Sequence, residues 1–590
     1  MKWQRWHVDA AGAALAVATV VALGNWSGGP QPADAGVAVE PPVRAPDDLL
    51  ADIYVASPNS SWTRLQRGVG GAVGILPATL PGVLVALTDL DVSLASELDG
   101  TAPMFGAVAG DPASPGIALA LKLVDARRAR GLLADGDTSR FTSKNVEGMT
   151  VLVPNAAASS RSAPADQRFE IAITQNGYLL VTRSAADLTR LGPYVTRTLP
   201  ARPLPTESAA VVEIPKSALK TMLEPKLDSL WKDGKSFLLT QDERMRAERG
   251  RAPDFGDPAA IVAALDGMLG RRVAVVGDLE KVRLAVDITE DATVFTATLS
   301  PGADGPSRRW VDAMKVGDAS PVLALPAVSA LAVSMRDGEV ERAEQSKELE
   351  KAIATSLGPR LEDPSKLHEV IEAMTSARDE AVAFALAVDE PTGLLVRAPV
   401  RDAGAADKAI RGVFDMTKRK PFKELLRVRE VSSSTEELPG LGKVASLMVV
   451  REPKDSRHGA GTAPRRPAGD GGGPGPAAAK TSPPSGVAWS TDQGVLALGA
   501  GAEPLVTLKM GARPDRKLAD DPALKRFTSA IGADASTIVV AQPLRLDPKR
   551  ANLPTAPLGI AIGRKGGDAF VRIDIAAGLL REAARWQMGF

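Results

Sequence analysis

The sequence predicts an α+β fold: two sequence-related copies of an antiparallel-sheet-plus-helices module, preceded by an N-terminal signal or anchor segment. Three observations carry this expectation. Strand-sized apolar runs are joined by short polar turns, which favours antiparallel pairing. Helix-spaced, charge-bearing segments such as Glu339 to Ser356 and Pro364 to Arg378 lie between them. Similar stretches also recur at a nearly fixed offset along the 590 residues, a length that itself suggests more than one domain.

The start of the chain reads as an export signal. Lys2 and Arg5 precede the apolar run Ala10 to Gly24, AAGAALAVATVVALG. A basic start, about 15 apolar residues and then a polar Gly/Pro-rich stretch is the plan of a secretory leader. Ala22-Leu23-Gly24 and Ala33-Asp34-Ala35 both fit small-x-small cleavage sites. Residues 1–35 are therefore a signal peptide or a single membrane anchor, the anchor being residues 10–26 with Trp26 at its end. Residues 36–47 form a Pro/Gly-rich tether.

The repeat appears near offset 277. Ile53-Tyr54-Val55 leading to Arg64 corresponds to Leu331-Ala332-Val333 leading to Arg342. Gly116 to Leu119, running to Asp125, corresponds to Gly393 to Val396, running to Asp402. Asp291 to Val294 corresponds to Asp568 to Val571. Thr174 to Gly177 and Thr491 to Gly494 match at offset 317. Residues 455–486, dominated by Gly, Pro and Ala, account for the larger offset and are expected to be disordered. The first copy spans 48–315 with a helical insert at 216–269; the second spans 320–590 with the disordered insert.

Within each copy a strand (51–57, 328–335) precedes two more (104–109 with 116–124, 381–388 with 393–400). A helix follows (125–134, 402–417), then a strand (149–153, 443–450), a hairpin and a short helix (185–193, 503–510). The hairpin is clearest around Asn176-Gly177. Strands at 209–213 and 536–541, 282–288 and 558–563, and 292–299 and 568–575 close the copies, with helices expected over one sheet face. Asp125 and Asp402 are placed to cap their helices.

The second copy carries GVAWSTDQGVLALGAG and then Leu518, Asp521, Pro522, Leu524, Phe527, Ala535 and Ser536 in LADDPALKRFTSAIGADASTIVVAQ. Residues 486–541 thereby resemble an exported bacterial family catalogued as a domain of unknown function. The resemblance implies an exported α+β domain and adds no catalytic residues. The first copy lacks the Asp-x-Pro segment.

Composition excludes much chemistry. Lys+Arg and Asp+Glu are both 71, so the basic excess of a nucleic-acid binder is missing. There is no cysteine, hence no disulfide, thiol nucleophile or Cys-ligated metal. The three histidines, His7, His368 and His458, are too scattered for a metal site. Ser217-x-x-Lys220 and Ser229-x-x-Lys232 match a penicillin-recognising nucleophile motif, but about two such matches arise by chance in a chain this long. Asp135 and Asp137 lack a calcium-loop pattern and read as a turn. Glu369 and Glu372 read as surface charges, and Lys418-Arg419-Lys420 with Lys423 as a solvated helix end. No catalytic, cofactor-binding or metal residue is assigned.

The expected function is a non-enzymatic exported envelope protein, periplasmic or on the cell surface, acting as scaffold or binding module. Its partner is an envelope component or a hydrophobic or anionic ligand; nucleic acid is not a partner, and membrane contact is through the N-terminal segment only. The alternative is an extracytoplasmic hydrolase using Ser/Lys or paired carboxylates. A concave pocket gathering such groups is the feature that discriminates.

Overall fold

The computed structural model describes residues 40–587 outside 70–75, 88–91, 135–140, 147, 155–168, 206–207, 250–261, 263–265, 267–269, 271–272, 358–360, 389–391, 421, 426–427, 452–484 and 547–554. Residues 1–35, expected as a signal or anchor, Asp135, Asp137, His458 and nearly all of the 455–486 insert lie outside the described residues. Ser485 and Gly486, expected in that insert, instead begin a strand.

Two compact units divide the chain, and they are not its two halves. The first combines Met1–Trp231, Arg271–Asp312 and Leu553–Phe590; the second combines Lys232–Gly270 and Ala313–Asn552. The boundaries expected at 48–315 and 320–590 therefore miss an exchange. The last hairpin of the chain belongs with the first unit, because its strands pair there rather than ending the second.

The first unit contains β1 (Leu49–Val55), β2 (Met104–Ala109), β3 (Gly116–Lys122), β4 (Phe141–Val146), β5 (Met149–Pro154), β6 (Glu170–Thr174), β7 (Tyr178–Thr182), β8 (Ala210–Pro215), β9 (Leu279–Ile288) and β10 (Ala292–Pro301). The second contains β11 (Ser329–Arg336), β12 (Ala381–Ala387), β13 (Gly393–Pro399), β14 (Val428–Leu438), β15 (Gly442–Arg451), β16 (Ser485–Ser490), β17 (Val495–Gly501) and β18 (Ala535–Ala541). The hairpin β19 (Leu558–Lys565) and β20 (Asp568–Ala576) returns to the first unit.

In the first unit the pairing order is β4-β5-β6-β7-β3-β2-β1-β8-β9-β10-β20-β19, all antiparallel. In the second it is β14-β15-β16-β17-β13-β12-β11-β18, also antiparallel. The first eight strands of the one order correspond position by position to the eight of the other. Their first strands also share an irregularity: register slips between Leu49 and Ala51 against β2, and between Ser329 and Leu331 against β12. That slip aligns Ala51 with Leu331, two residues from the sequence match of Ile53 with Leu331. A two-residue shift keeps every side chain on the same face, so the apolar alternation does not reveal it.

The helices include α1 (Pro58–Val69), α2 (Leu80–Leu87), α3 (Ala126–Ala134), α4 (Ala185–Pro193), α5 (Glu224–Arg249), α6 (Ser320–Leu323), α7 (Glu339–Leu357), α8 (Pro364–Ala377), α9 (Ala403–Thr417), α10 (Pro504–Ala512), α11 (Pro522–Ile531) and α12 (Ala577–Gln587). Asp125 accepts from the N–H groups of Arg127 and Arg128 at 2.8 and 3.1 Å, and Asp402 from Gly404 and Ala405 at 2.8 and 3.0 Å. Each capping aspartate satisfies free donors of the first turn and contributes about 1 kcal/mol. Gly116 and Gly393 open β3 and β13 as expected, for a reason the pattern does not contain. A Cβ on Gly116 would meet Asp187 of α4 at 2.0 Å, and one on Gly393 would meet Thr507 of α10 at 2.6 Å. A helix lies directly above each position.

Helices cover both faces of the sheet, not one as the hairpin pattern suggests. In the first unit, Ile53, Val55, Leu121, Leu179, Val212 and Val286 pack under Val85 of α2 and Ala129 and Leu133 of α3. The opposite face, with Phe105, Ala118, Ala120 and Leu180, packs under Leu188 and Leu191 of α4 and under Tyr194, Val195 and Leu199. The cause lies in the strands: GIALALK and YLLVT are apolar at nearly every position, so both faces need cover. The second unit repeats this over part of its sheet, with Ile410 and Phe414 of α9 against Trp489 and Leu447 on one face and Leu508 of α10 against Val444 and Ala488 on the other, while Leu331, Met335, Leu386 and Leu394 of β11–β13 are exposed. Among the described residues no helix is long and apolar enough to cross a membrane.

Candidate binding cleft

The cover over the second face of the first unit stops at the turn Leu199–Ala201. Beyond it the chain runs Arg202-Pro203-Leu204-Pro205, where the two prolines fix φ and hold the strap stiff. Under this strap lies a cleft of about 320 Å³, near the lower end of ligand-site volumes. Its floor is three adjacent strands: Asp52 and Tyr54 from β1, Val211 and Glu213 from β8, and Arg283 from β9, with Phe105 of β2 beside them. Asp52 is registered opposite Glu213, and Glu213 opposite Arg283, so three charged side chains form one row across the sheet. Directly opposed residues stand with Cβ atoms about 5 Å apart.

The polar groups differ in how far they are committed. Asp52 accepts from the Tyr194 hydroxyl at 3.0 and 2.9 Å and from Arg202 at 2.8 Å. Arg202 also donates to the Tyr194 oxygen at 2.8 Å and lies 5.4 Å from the centre of its ring. Burial is the largest influence on Asp52 and lifts its pKa above the ordinary 3.8; the bonds from Tyr194 and Arg202 pull it down, and the charge of Glu213 pushes it up. Burial first, then the Asp52 charge, raises Tyr194 well above its ordinary value, so its hydroxyl stays a donor. Glu213 has a counterion in Lys281, 3.5 Å away. Arg283 has none among the described residues, and its buried Nε has no hydrogen-bond partner.

The corresponding place in the second unit is filled. Register puts Ala332 where Asp52 stands, Ser334 for Tyr54, Ala383 for Phe105 and Val540 for Glu213. All four are buried, and α6 packs on β11, β12 and β18. Small side chains there admit a covering helix; the bulky polar set in the first unit does not.

The residues singled out from sequence lie elsewhere. Ser217, Lys220, Ser229 and Lys232 are exposed and do not line the cleft. His368 is exposed and bonds Glu350 at 3.0 Å, with Glu372 at 3.9 Å; the first contact raises its pKa. Glu369 pairs with Lys366 at 2.9 Å. In the basic cluster, Lys418 pairs with Asp415 at 3.1 Å and Arg419 with Asp363 at 2.6 Å. Among the described residues no cluster of His, Asp and Glu has the makings of a metal site.

No family model matches the chain, and no curated protein does. A solved structure titled "Structure of crystal form III of TP0453" is similar over 44% of this chain and 96% of that one, at 9% identity and a TM-score of 0.20. A likeness that slight carries no argument.

Proposed function

We propose that this is an exported, non-enzymatic envelope protein that arose by duplication of one module, whose first unit binds a small ligand in the cleft while the second serves as scaffold. One observation carries the reading. The two units share a strand order over eight strands, yet among the described residues the first leaves part of its second face open over a row of charged residues, where the second holds buried Ala332, Ser334, Ala383 and Val540. The leader-like residues 2–24 support the location. The test is to purify the chain from its own envelope and extract it with organic solvent. A small molecule recovered from wild type but not from Val211→Trp, which fills the cleft, is the expected result; no difference between the two sinks it.

A second reading, a hydrolase, is favoured by one specific feature: Asp52 and Glu213 face each other and burial raises the Asp52 pKa. Against it, both Asp52 oxygens are held by Tyr194, which suits a structural carboxylate. Chromogenic glycosides and esters decide: turnover that disappears in both Asp52→Asn and Glu213→Gln establishes the hydrolase.

A further inference from the structure

We infer that the cleft takes a singly charged carboxylate with an apolar body, its carboxylate gripped by Arg283; this rests on the binding reading above. The argument begins with charge. Arg202 is spent on Asp52 and Tyr194, and Lys281 on Glu213. The guanidinium left over is Arg283, which lines the cleft without an ion-pair partner among the described residues. A guanidinium presents a planar fork of donors that matches the two oxygens of a carboxylate. It is also half-buried, and an unpaired polar atom in such a place is costly unless something arrives to satisfy it.

The neighbours set the ligand's charge. Asp52 and Glu213 stand in the same row, so a dianion such as a phosphate monoester would face two carboxylates with one free cation between them. A monoanion is repelled less and neutralises Arg283 fully. A cationic ligand has no free carboxylate to meet, since both already hold a counterion.

The remaining wall fixes the body. Tyr54, Phe105, Leu199, Leu204 and Val211 are apolar or aromatic, so the part of the ligand that lies against them is apolar. The volume of about 320 Å³, near the lower end of ligand-site volumes, suits a small body.

The experiment is calorimetric titration of the full chain with octanoate, octanol, octyl phosphate and octylammonium. Octanoate is expected to bind about tenfold to a hundredfold tighter than octanol, the range of one charge-assisted pair. Arg283→Gln is expected to remove the difference between octanoate and octanol; Arg283→Lys, which keeps the charge but not the fork, restores part of it. Thermal melts of both variants check that they fold. Octanol binding as tightly as octanoate overturns the anion claim and leaves the binding reading standing. Octyl phosphate binding tighter than octanoate overturns the choice of a monoanion. If none of the four binds, the proposal falls, and the solvent extraction above then decides separately whether the cleft holds anything.

Discussion

Tyr194 donates its hydroxyl to both oxygens of Asp52, joining residues 142 positions apart at the inner edge of the cleft. Tyr194→Phe removes the donor without changing the packing of a fully buried ring. The expected loss is about 1–3 kcal/mol, the range for a buried partner left unsatisfied. Urea unfolding of the variant measures it, and a change below the error of the extrapolation contradicts the role given to the pair.

The pH dependence of the same pair has a definite sign. Burial raises Asp52 above 3.8 in the folded protein, so the native state holds this proton more tightly than the unfolded chain. The stability contributed is complete below 3.8 and is lost as pH rises through the folded value. Asp52→Asn cannot ionise and lacks that loss. Its stability relative to wild type is expected to improve between pH 4 and pH 7; a flat difference counts against the raised value.

His368 behaves in the opposite chemical sense with the same sign. Its bond to Glu350, between α7 and α8, lifts its pKa above 6.5. The contribution is present below 6.5 and disappears as pH rises through the folded value. Glu350→Gln is expected to return the NMR titration of His368 toward 6.5; an unchanged midpoint assigns the shift elsewhere.

In the second unit Asp337 bridges Arg342, 3.2 Å away, and Arg378. Arg342 is 5% exposed and donates to the carbonyl of Asp379 at 3.2 Å. Asp337→Ala strands a buried guanidinium and is expected to cost about 3–5 kcal/mol. Asp337→Asn keeps an acceptor and is expected to cost less. Equal losses in the two variants would show that the lost charge, not the lost acceptor, sets the cost.

Gly499 in β17 is a close-approach position. A Cβ there would meet the backbone nitrogen of Leu508 at 2.3 Å and the carbonyl of Pro504 at 2.7 Å, both in α10. Backbone does not yield as a side-chain tip does, so Gly499→Ala is expected to push α10 off the sheet and cost about 1–3 kcal/mol. A melting temperature equal to wild type would disprove the contact.

Strands with clean alternation or long apolar runs were legible within a residue or two, as for β2, β7 and β12. β4 and β14 were not, because FTSKNV and VREVSSSTEEL are polar edge strands that bury little and carry no apolar period. The turn at Asn176-Gly177 was placed correctly but differs in kind. Gly177 alone has positive φ, and its N–H bonds Thr174, the pattern of a type I turn closed by glycine, whereas Gln493 and Gly494 both have positive φ. The cleft was invisible because its members are far apart in sequence. A faint signal existed: Asp52 and Glu213 each interrupt an otherwise apolar strand, and Arg283 interrupts the apolar stretch Val282 to Val286. Only the register places those interruptions in one row.

The pairing of β10 with β20 has a consequence for synthesis. Thr293 to Leu299 align with Ile575 to Ala569, so the first unit's sheet continues into strands made after residues 313–552. Until then β10 presents a row of unpaired backbone donors and acceptors, an edge open to other chains. A nascent or prematurely ended chain is thus exposed to aggregation at the seam its own last hairpin normally closes. The order in which the protein is made runs against the order in which its first unit can be finished.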